Sequence, residues 1–381
     1  MRKQITYLIA AALLIKVSYF LLALLLSAFS HEFSYRADYN GYISTLKKND
    51  AYWYEAIATE GYPKVEDRAS LGYSEGSEFR QSPWAFFPLF PMTVALVALV
   101  PSIDTDLSFL LLSIAFSLAG FILLYLFVSA YSGDDTLAFL TTLLVMVFPF
   151  HYYFSVFYTE AMFLTFLAGG FFIIHTKRYR WLIPVLTGLV LLRPNGIVMA
   201  IPLYVYMLER EGLLNGNTFA WKRIFGRKNL LRSLWFLAAP TVFVLYGLYQ
   251  QMMTGEFLAF SIAQQGWYRE WRFPLLSFFR EGNLANQVDS FYTLLFMVAA
   301  LFSWKKLPVS MNVLIWLSLL LPLSSGSVQS MPRYISLIFP FMLLLGGYLN
   351  RTKLKYAFVG MLLLLQLFSY AFWLAGHPLS Y

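Results

Sequence analysis

The stretch WAFFPLFPMTVALVALVP, Trp84 to Pro101, decides how the chain is threaded. Its apolar part, residues 85–100, has 16 residues, or about 24 Å of helix. The hydrocarbon core of a bilayer is roughly 30 Å thick. Pro88 and Pro91 interrupt its start, since proline lacks the N–H a helix needs and crowds the preceding turn. If this segment crosses a membrane, every later loop changes side. If it does not, the loops sort by charge.

The rest of the chain sets that question. Hydrophobic residues make up 59% of the 381 and charged residues 13%, against about 25% charged in a soluble domain. The excess lies in runs long enough to span a bilayer, with none of the alternating ten-residue segments of a β-barrel. This predicts an all-α polytopic membrane protein in a single transmembrane domain, 1–381. The net charge of +8 sits in short clusters between apolar runs, which is the pattern that orients membrane proteins. It gives no indication of nucleic acid as a partner. The absence of cysteine excludes disulfides, thiolate metal sites and cysteine nucleophiles. The first run, 5–29, is too long for a signal-peptide core and reads as a retained anchor.

Arg2 and Lys3 precede that run, so the N-terminus is expected in the cytoplasm. With 85–100 lying along the membrane instead of through it, the spans follow as 107–131, 137–155, 161–175, two arms around Arg193–Gly196, 233–252, 289–304, 309–324, 334–349 and 356–375. With Arg2 and Lys3, the clusters between them then place 16 Lys/Arg inside. If 85–100 crossed, every cluster after it would be outside. The positive-inside rule therefore predicts about eleven spans. It also predicts a first external loop over 30–106 and a large external loop over 253–288. The acidic turn Gly133-Asp134-Asp135 is cytoplasmic in this scheme and lends it no support.

NDAYWYEAIATEGYP, residues 49–63, falls in the first external loop. Tyr54, Ile57 and Ala58 recur at helical spacing, and the ring content predicts a helix at headgroup level. Asp50 opens it. It reads either as a first-turn acid favoured by the helix dipole or as a general base toward an acceptor hydroxyl. Glu55 and Glu60 read as solvated. Glu160 heads the run 161–175. Thr159 can cap that helix, yet an ionisable group at the edge of a span is costly and often functional. Arg193 in LLRPNGIV lies between two short arms. It reads as a phosphate ligand, with an ion pair to Glu160 as the alternative. Arg333 in MPRYISLIFP is a similar charge, with snorkelling to headgroups as its alternative. His151 reads as structural. In the loop 253–288, Trp267, Tyr268, Trp271, Arg269 and Arg272 can stack on a sugar or pair with phosphate; an aromatic belt would look much the same. No metal-spaced cluster, nucleotide loop or Ser-His-Asp arrangement stands out, and no cofactor is predicted.

Six stretches together, in order, resemble the integral-membrane mannosyltransferase family that includes the second mannosyltransferase of GPI-anchor synthesis and its bacterial homologues. They are NDAYWYEAIATEGYP, WAFFPLFP, FPFHYYFSVFYTEAMF, LLRPNGIV, AQQGWYREWRFP and MPRYISLIFP. Directly before Asp50, where the family usually carries a ring, this chain has Asn49. The resemblance implies a GT-C-like fold and a sugar taken from a polyprenyl-phosphate carrier on the non-cytoplasmic face. It implies Asp50 as the first-loop acid and Glu160 as a second-loop acid, both catalytic. The substrate-binding set is Arg193, Asn195, Arg333, Tyr334, Gln265, Trp267, Arg269, Tyr54 and Tyr158. The expected reaction is hexosyl transfer, mannosyl first, with inversion, to a lipid- or glycan-type acceptor. Membrane lipids are the other partners, and a bacterial inner membrane is the expected location. A divalent metal has no support in the sequence. The rival reading is a polytopic transporter or lipid flippase, which also uses broken helices and intramembrane charge; a membrane scaffold would not need paired carboxylates.

Overall fold

The computed structural model describes residues 1–29, 35–36, 38–65, 71–72, 80–216, 218–279 and 282–380. Parts of both expected external loops, 30–34, 37, 66–70, 73–79 and 280–281, therefore lie outside the described residues. The helices of the first half are α1 (Arg2–Phe29), α2 (Tyr39–Leu46), α3 (Asp50–Glu60), α4 (Leu89–Ala98), α5 (Thr105–Ser132), α6 (Asp135–Val147), α7 (Glu160–His175), α8 (Leu182–Leu192) and α9 (Ala200–Arg210). Those of the second half are α10 (Trp221–Ile224), α11 (Arg227–Leu234), α12 (Ala238–Thr254), α13 (Ala259–Ala263), α14 (Leu284–Ser303), α15 (Val309–Leu323), α16 (Met331–Ile335), α17 (Phe339–Leu349) and α18 (Lys355–Leu374). Two-residue strands at Leu214–Asn215 and Thr218–Phe219 form a small antiparallel hairpin.

The chain is an all-α polytopic membrane protein. Among the described residues, five helical runs are long and apolar enough to cross a bilayer, and six shorter apolar helices accompany them. Leu14, Leu21 and Leu25 on α1, Leu245 and Met252 on α12, Phe302 on α14 and Phe368 on α18 are exposed, as lipid-facing side chains should be. α5 lies deeper, against α6 and α7. Gly120 lets α5 and α7 approach, since a Cβ there would sit 3.1 Å from Thr165 Oγ1; small residues serve this purpose between membrane helices.

Only part of the segment 85–100 is helical. α4 has 10 residues, about 15 Å. Both of its flanks are anchored by polar contacts. Trp84 Nε1 donates to the Pro63 carbonyl at 3.1 Å, and Lys47 Nζ joins Glu55 at 2.8 Å and Asp106 at 2.7 Å. Glu55 is thus ion-paired and not simply solvated. At the opposite end the N-terminal amine meets Asp135 at 3.2 Å. Asp134 accepts from the N–H groups of Thr136 and Leu137 at 2.8 and 3.0 Å, so the acidic turn is an N-cap. Asn350 donates to Asp134 at 3.3 Å, and separate pairs join Lys306 to Tyr348, Ser310 to Glu209 and Arg232 to Glu211.

Two expected spans are shorter than their apolar runs. The helix expected over 137–155 stops at Val147, because Phe148 precedes a proline and adopts extended backbone (φ −65°, ψ 143°). Residues 151–159 then form a buried stretch, one 3-10 turn at His151–Phe154 followed by irregular backbone through Tyr158 and Thr159 to the start of α7 at Glu160. Such backbone survives inside a membrane protein only when protein covers it. The span expected over 334–349 is likewise split between α16 and α17.

Candidate active site

Four charged side chains from four separate elements converge at the α3 end of the bundle. Asp50 is the first residue of α3, preceded by Asn49 at φ +48°. Asparagine tolerates positive φ better than most residues, which gives a backbone reason for Asn49 where a ring was expected. Glu160 begins α7, where a carboxylate gains from the helix dipole. Arg193 is extended (φ −155°, ψ 153°) between α8 and the turn Pro194–Gly196, because a residue before proline avoids the helical region. Gly196 completes that break: a Cβ there would lie 1.7 Å from the Leu189 carbonyl oxygen. Arg333 rides on α16, which carries Pro332 in its first turn.

The side chains form one network. Arg333 donates through Nη1 to Asp50 Oδ2 and through Nε to Glu160 Oε1. Arg193 Nη2 donates to the same Glu160 oxygen. Arg193 Nε donates to Thr159 Oγ1 at 2.5 Å, so Thr159 serves as an arginine partner and makes no side-chain cap bond. Side-chain exposure rises from 0% for Glu160 and 6% for Arg193 to 24% for Asp50. Glu160 is the floor and Asp50 the mouth. Two carboxylates against two guanidiniums balance formally. Even so, Glu160 Oε2 and Arg193 Nη1 are buried with no hydrogen-bond partner among the described residues.

Aromatic rings wall the network. The Arg333 guanidinium stands 4.3 Å from the Tyr158 ring centre, and Arg193 lies 5.9 Å from that of Tyr334; both are cation–π contacts. The Tyr158 hydroxyl donates to the Lys48 carbonyl at 3.2 Å, which ties the wall to the start of α3. Tyr54 is buried against Phe86 and Phe90. Burial pushes its phenol up to about 12, with Arg333, Asp50, Arg193 and Glu160 all in electrostatic reach. The face of α3 carrying Ala51, Tyr54 and Ile57 is therefore turned into the protein, while Tyr52 is exposed. That corrects the picture of a helix whose rings chiefly meet lipid.

The loop 253–288 adds an outer layer. Arg269 Nη1 donates to the Tyr334 hydroxyl at 3.1 Å, so this arginine reaches the network through a ring already facing Arg193. Trp267 stands edge-on to Trp53 at 5.7 Å and to Phe86 at 5.4 Å. Gln265 Oε1 is buried without a partner among the described residues. Trp271 is exposed, and Arg272 pairs with Glu270 at 3.1 Å; neither joins the cluster. Asn195 sits beside Arg193 in the turn, and no hydrogen bond links its amide to the four charged groups. His151 is buried with Nδ1 2.6 Å from the Val145 carbonyl, a structural role.

Sequence reasoning missed Asp289. Its Oδ2 accepts from the Ser330 N–H at 2.9 Å, fixing the entry to α16 and so the reach of Arg333. The signal was present: an acid heading the apolar run 289–304 asks for a partner. Among the described residues no group of three or more His, Asp or Glu is placed to hold a metal ion.

No protein-family model matches the chain, and no curated protein matches it. Among solved structures it is similar to the archaeal oligosaccharyltransferase AglB from Archaeoglobus fulgidus, determined in complex with an inhibitory peptide and a dolichol-phosphate. The TM-score is 0.44 at 11% identity, over 97% of this chain and 56% of that one. The chain thus spans little more than half the length of that protein. A likeness so distant carries no chemistry across.

Proposed function

We propose that the chain is a membrane glycosyltransferase of the GT-C class. It moves a hexose, mannose first, from a polyprenyl-phosphate carrier to a hydroxyl of a lipid- or glycan-type acceptor, with inversion. The observation that carries this reading is Arg333 holding both carboxylates while Arg193 holds the inner one. A transfer of this kind needs cationic donors for a departing phosphate and a carboxylate for an incoming hydroxyl. The cluster supplies both within one network.

The acceptor hydroxyl gives its proton to the Asp50 carboxylate as its oxygen attacks the anomeric carbon. The bond from that carbon to the phosphate oxygen breaks on the opposite face. The carrier phosphate leaves with the electron pair, and the guanidiniums of Arg333 and Arg193 stabilise its charge. General-base help of this kind is worth ~10²–10⁴-fold. Asp50 and a phosphate compete for Arg333, so donor binding frees Asp50 for the acceptor. Glu160 stays below, fixing both arginines. Tyr54, Tyr158 and Tyr334 wall the sugar, and Trp267, Gln265 and Arg269 meet the acceptor side, with Asn195 near the phosphate. The cluster faces away from the cytoplasm, and the N-terminus and basic loops face it.

The test is to incubate purified protein with labelled polyprenyl-phosphate-mannose and a membrane extract. Label is expected on a new product that lacks the carrier. Label that stays on the carrier but crosses the bilayer in proteoliposomes would replace this reading with a flippase.

A further inference from the structure

The far end of the molecule carries a surface that the proposed reaction does not use. Between the hairpin strand Thr218–Phe219 and α12 the chain reads TFAWKRIFGRKNLLRSLWFL, residues 218–237. Trp221 and Phe225 are 62% and 67% exposed, and Leu230, Leu231 and Leu234 are exposed too. α11 contains no buried residue. Lys222, Arg223, Arg227 and Lys228 are exposed on the same stretch and make no ion pair among the described residues. Glu211 is already taken by Lys177 and Arg232, and Glu209 by Ser310. Bare rings and uncompensated cations thus share one surface.

Helix length says where that surface lies. The helical run Arg227–Thr254 has 28 residues, about 42 Å, against roughly 30 Å of hydrocarbon. With the Thr254 end at the opposite boundary, the eight residues of α11 extend about 12 Å beyond the hydrocarbon. That is headgroup depth. Arg232 Nη1 holds Glu211 Oε2 at 2.5 Å and Asn229 Oδ1 at 3.1 Å, and Tyr204 meets Ser233 at 3.1 Å. These contacts fix α11 in register on the body of the protein.

We propose that residues 218–234 form a basic aromatic collar that binds the anionic headgroups of the surrounding bilayer. Trp221 and Phe225 wedge at the boundary, and Lys222, Arg223, Arg227 and Lys228 take the phosphates. Rings and basic residues together are what interfacial binding uses. A basic residue near an anionic leaflet contributes enough to shift lipid occupancy severalfold. The collar is independent of the glycosyl-transfer reading.

The test reconstitutes the full chain into vesicles of phosphatidylcholine with increasing phosphatidylglycerol, using brominated versions of either lipid. The Trp221 signal is the tryptophan fluorescence lost in Trp221→Phe. Brominated phosphatidylglycerol should quench that signal at a several-fold lower mole fraction than brominated phosphatidylcholine. The preference should vanish in high salt, and in the combined Lys222→Gln, Arg223→Gln, Arg227→Gln, Lys228→Gln variant. The salt arm uses unmutated protein, so it stands even if the variant fails to fold. Equal quenching by the two lipids would overturn the anionic preference. Quenching by neither would put Trp221 in water or against a soluble protein, and the collar would be lost altogether.

Discussion

Each end of the bundle holds a carboxylate shared by two cations, and the two are used differently. Glu211 accepts from Tyr179 Oη at 2.6 Å and from Lys177 at 3.2 Å on one oxygen, and from Arg232 at 2.5 Å on the other. Both oxygens are satisfied, and Lys177 is 46% exposed. Glu160 accepts from Arg193 and Arg333 on one oxygen while its second has no partner, and a further carboxylate, Asp50, competes for Arg333. A closed network at a surface fastens loops together. An open one, buried and ringed by tyrosines, is what the proposed reaction asks of a phosphate site.

The largest expected contrast is catalytic. Asp50→Asn keeps the shape of the mouth and removes the base, so turnover of labelled polyprenyl-phosphate-mannose should fall by about two to four powers of ten. Glu211→Gln should leave turnover unchanged in the same assay. Near-normal turnover in Asp50→Asn would move the base to another residue.

The next contrast is in stability. Glu160→Gln leaves two buried guanidiniums without their shared charge, a loss of about 3–5 kcal/mol for a broken buried pair, read as a lowered thermal midpoint in detergent. Glu211→Gln, whose partners are partly solvated, should cost about 1 kcal/mol. Equal losses at the two ends would erase the distinction between them.

The smallest effect is in pH. Burial alone would raise the Glu211 carboxyl, but the Tyr179 and Lys177 hydrogen bonds and the Arg232 charge hold it below the ordinary glutamate value. Its share of stability is therefore present above the unfolded value, about 4.3. It is lost as pH falls through the lower folded value. Melting from pH 6 down to 3.5 should show wild type losing slightly more than Glu211→Gln. Parallel curves would remove Glu211 from the acid response.

Much of this was legible in the sequence, for stated reasons. Helix class follows from long apolar runs, and the shortness of α4 from the prolines at the start of 85–100. Asp50, Glu160, Arg193 and Arg333 stood out because ionisable residues beside apolar runs need an explanation. The sequence offered the Arg193–Glu160 ion pair as an alternative, and the structure has it; the other pairings it could not supply. Nothing in one dimension says that Thr159 meets an arginine, that Asp289 holds the turn before α16, or that the α3 rings pack on Phe86 and Phe90. The early stop of α6 could have been read from Phe148-Pro149, but apolarity across 137–155 hid it.

The central claim is that a carrier phosphate takes Arg333 from Asp50. Affinity for polyprenyl phosphate, titrated into wild type, Asp50→Asn and Arg333→Gln, tests it directly. Asp50→Asn removes the competing carboxylate, so it should bind the lipid phosphate more tightly than wild type while losing turnover, and Arg333→Gln should bind it more weakly. Affinity that is unchanged or weaker in Asp50→Asn, or unchanged in Arg333→Gln, would contradict the account.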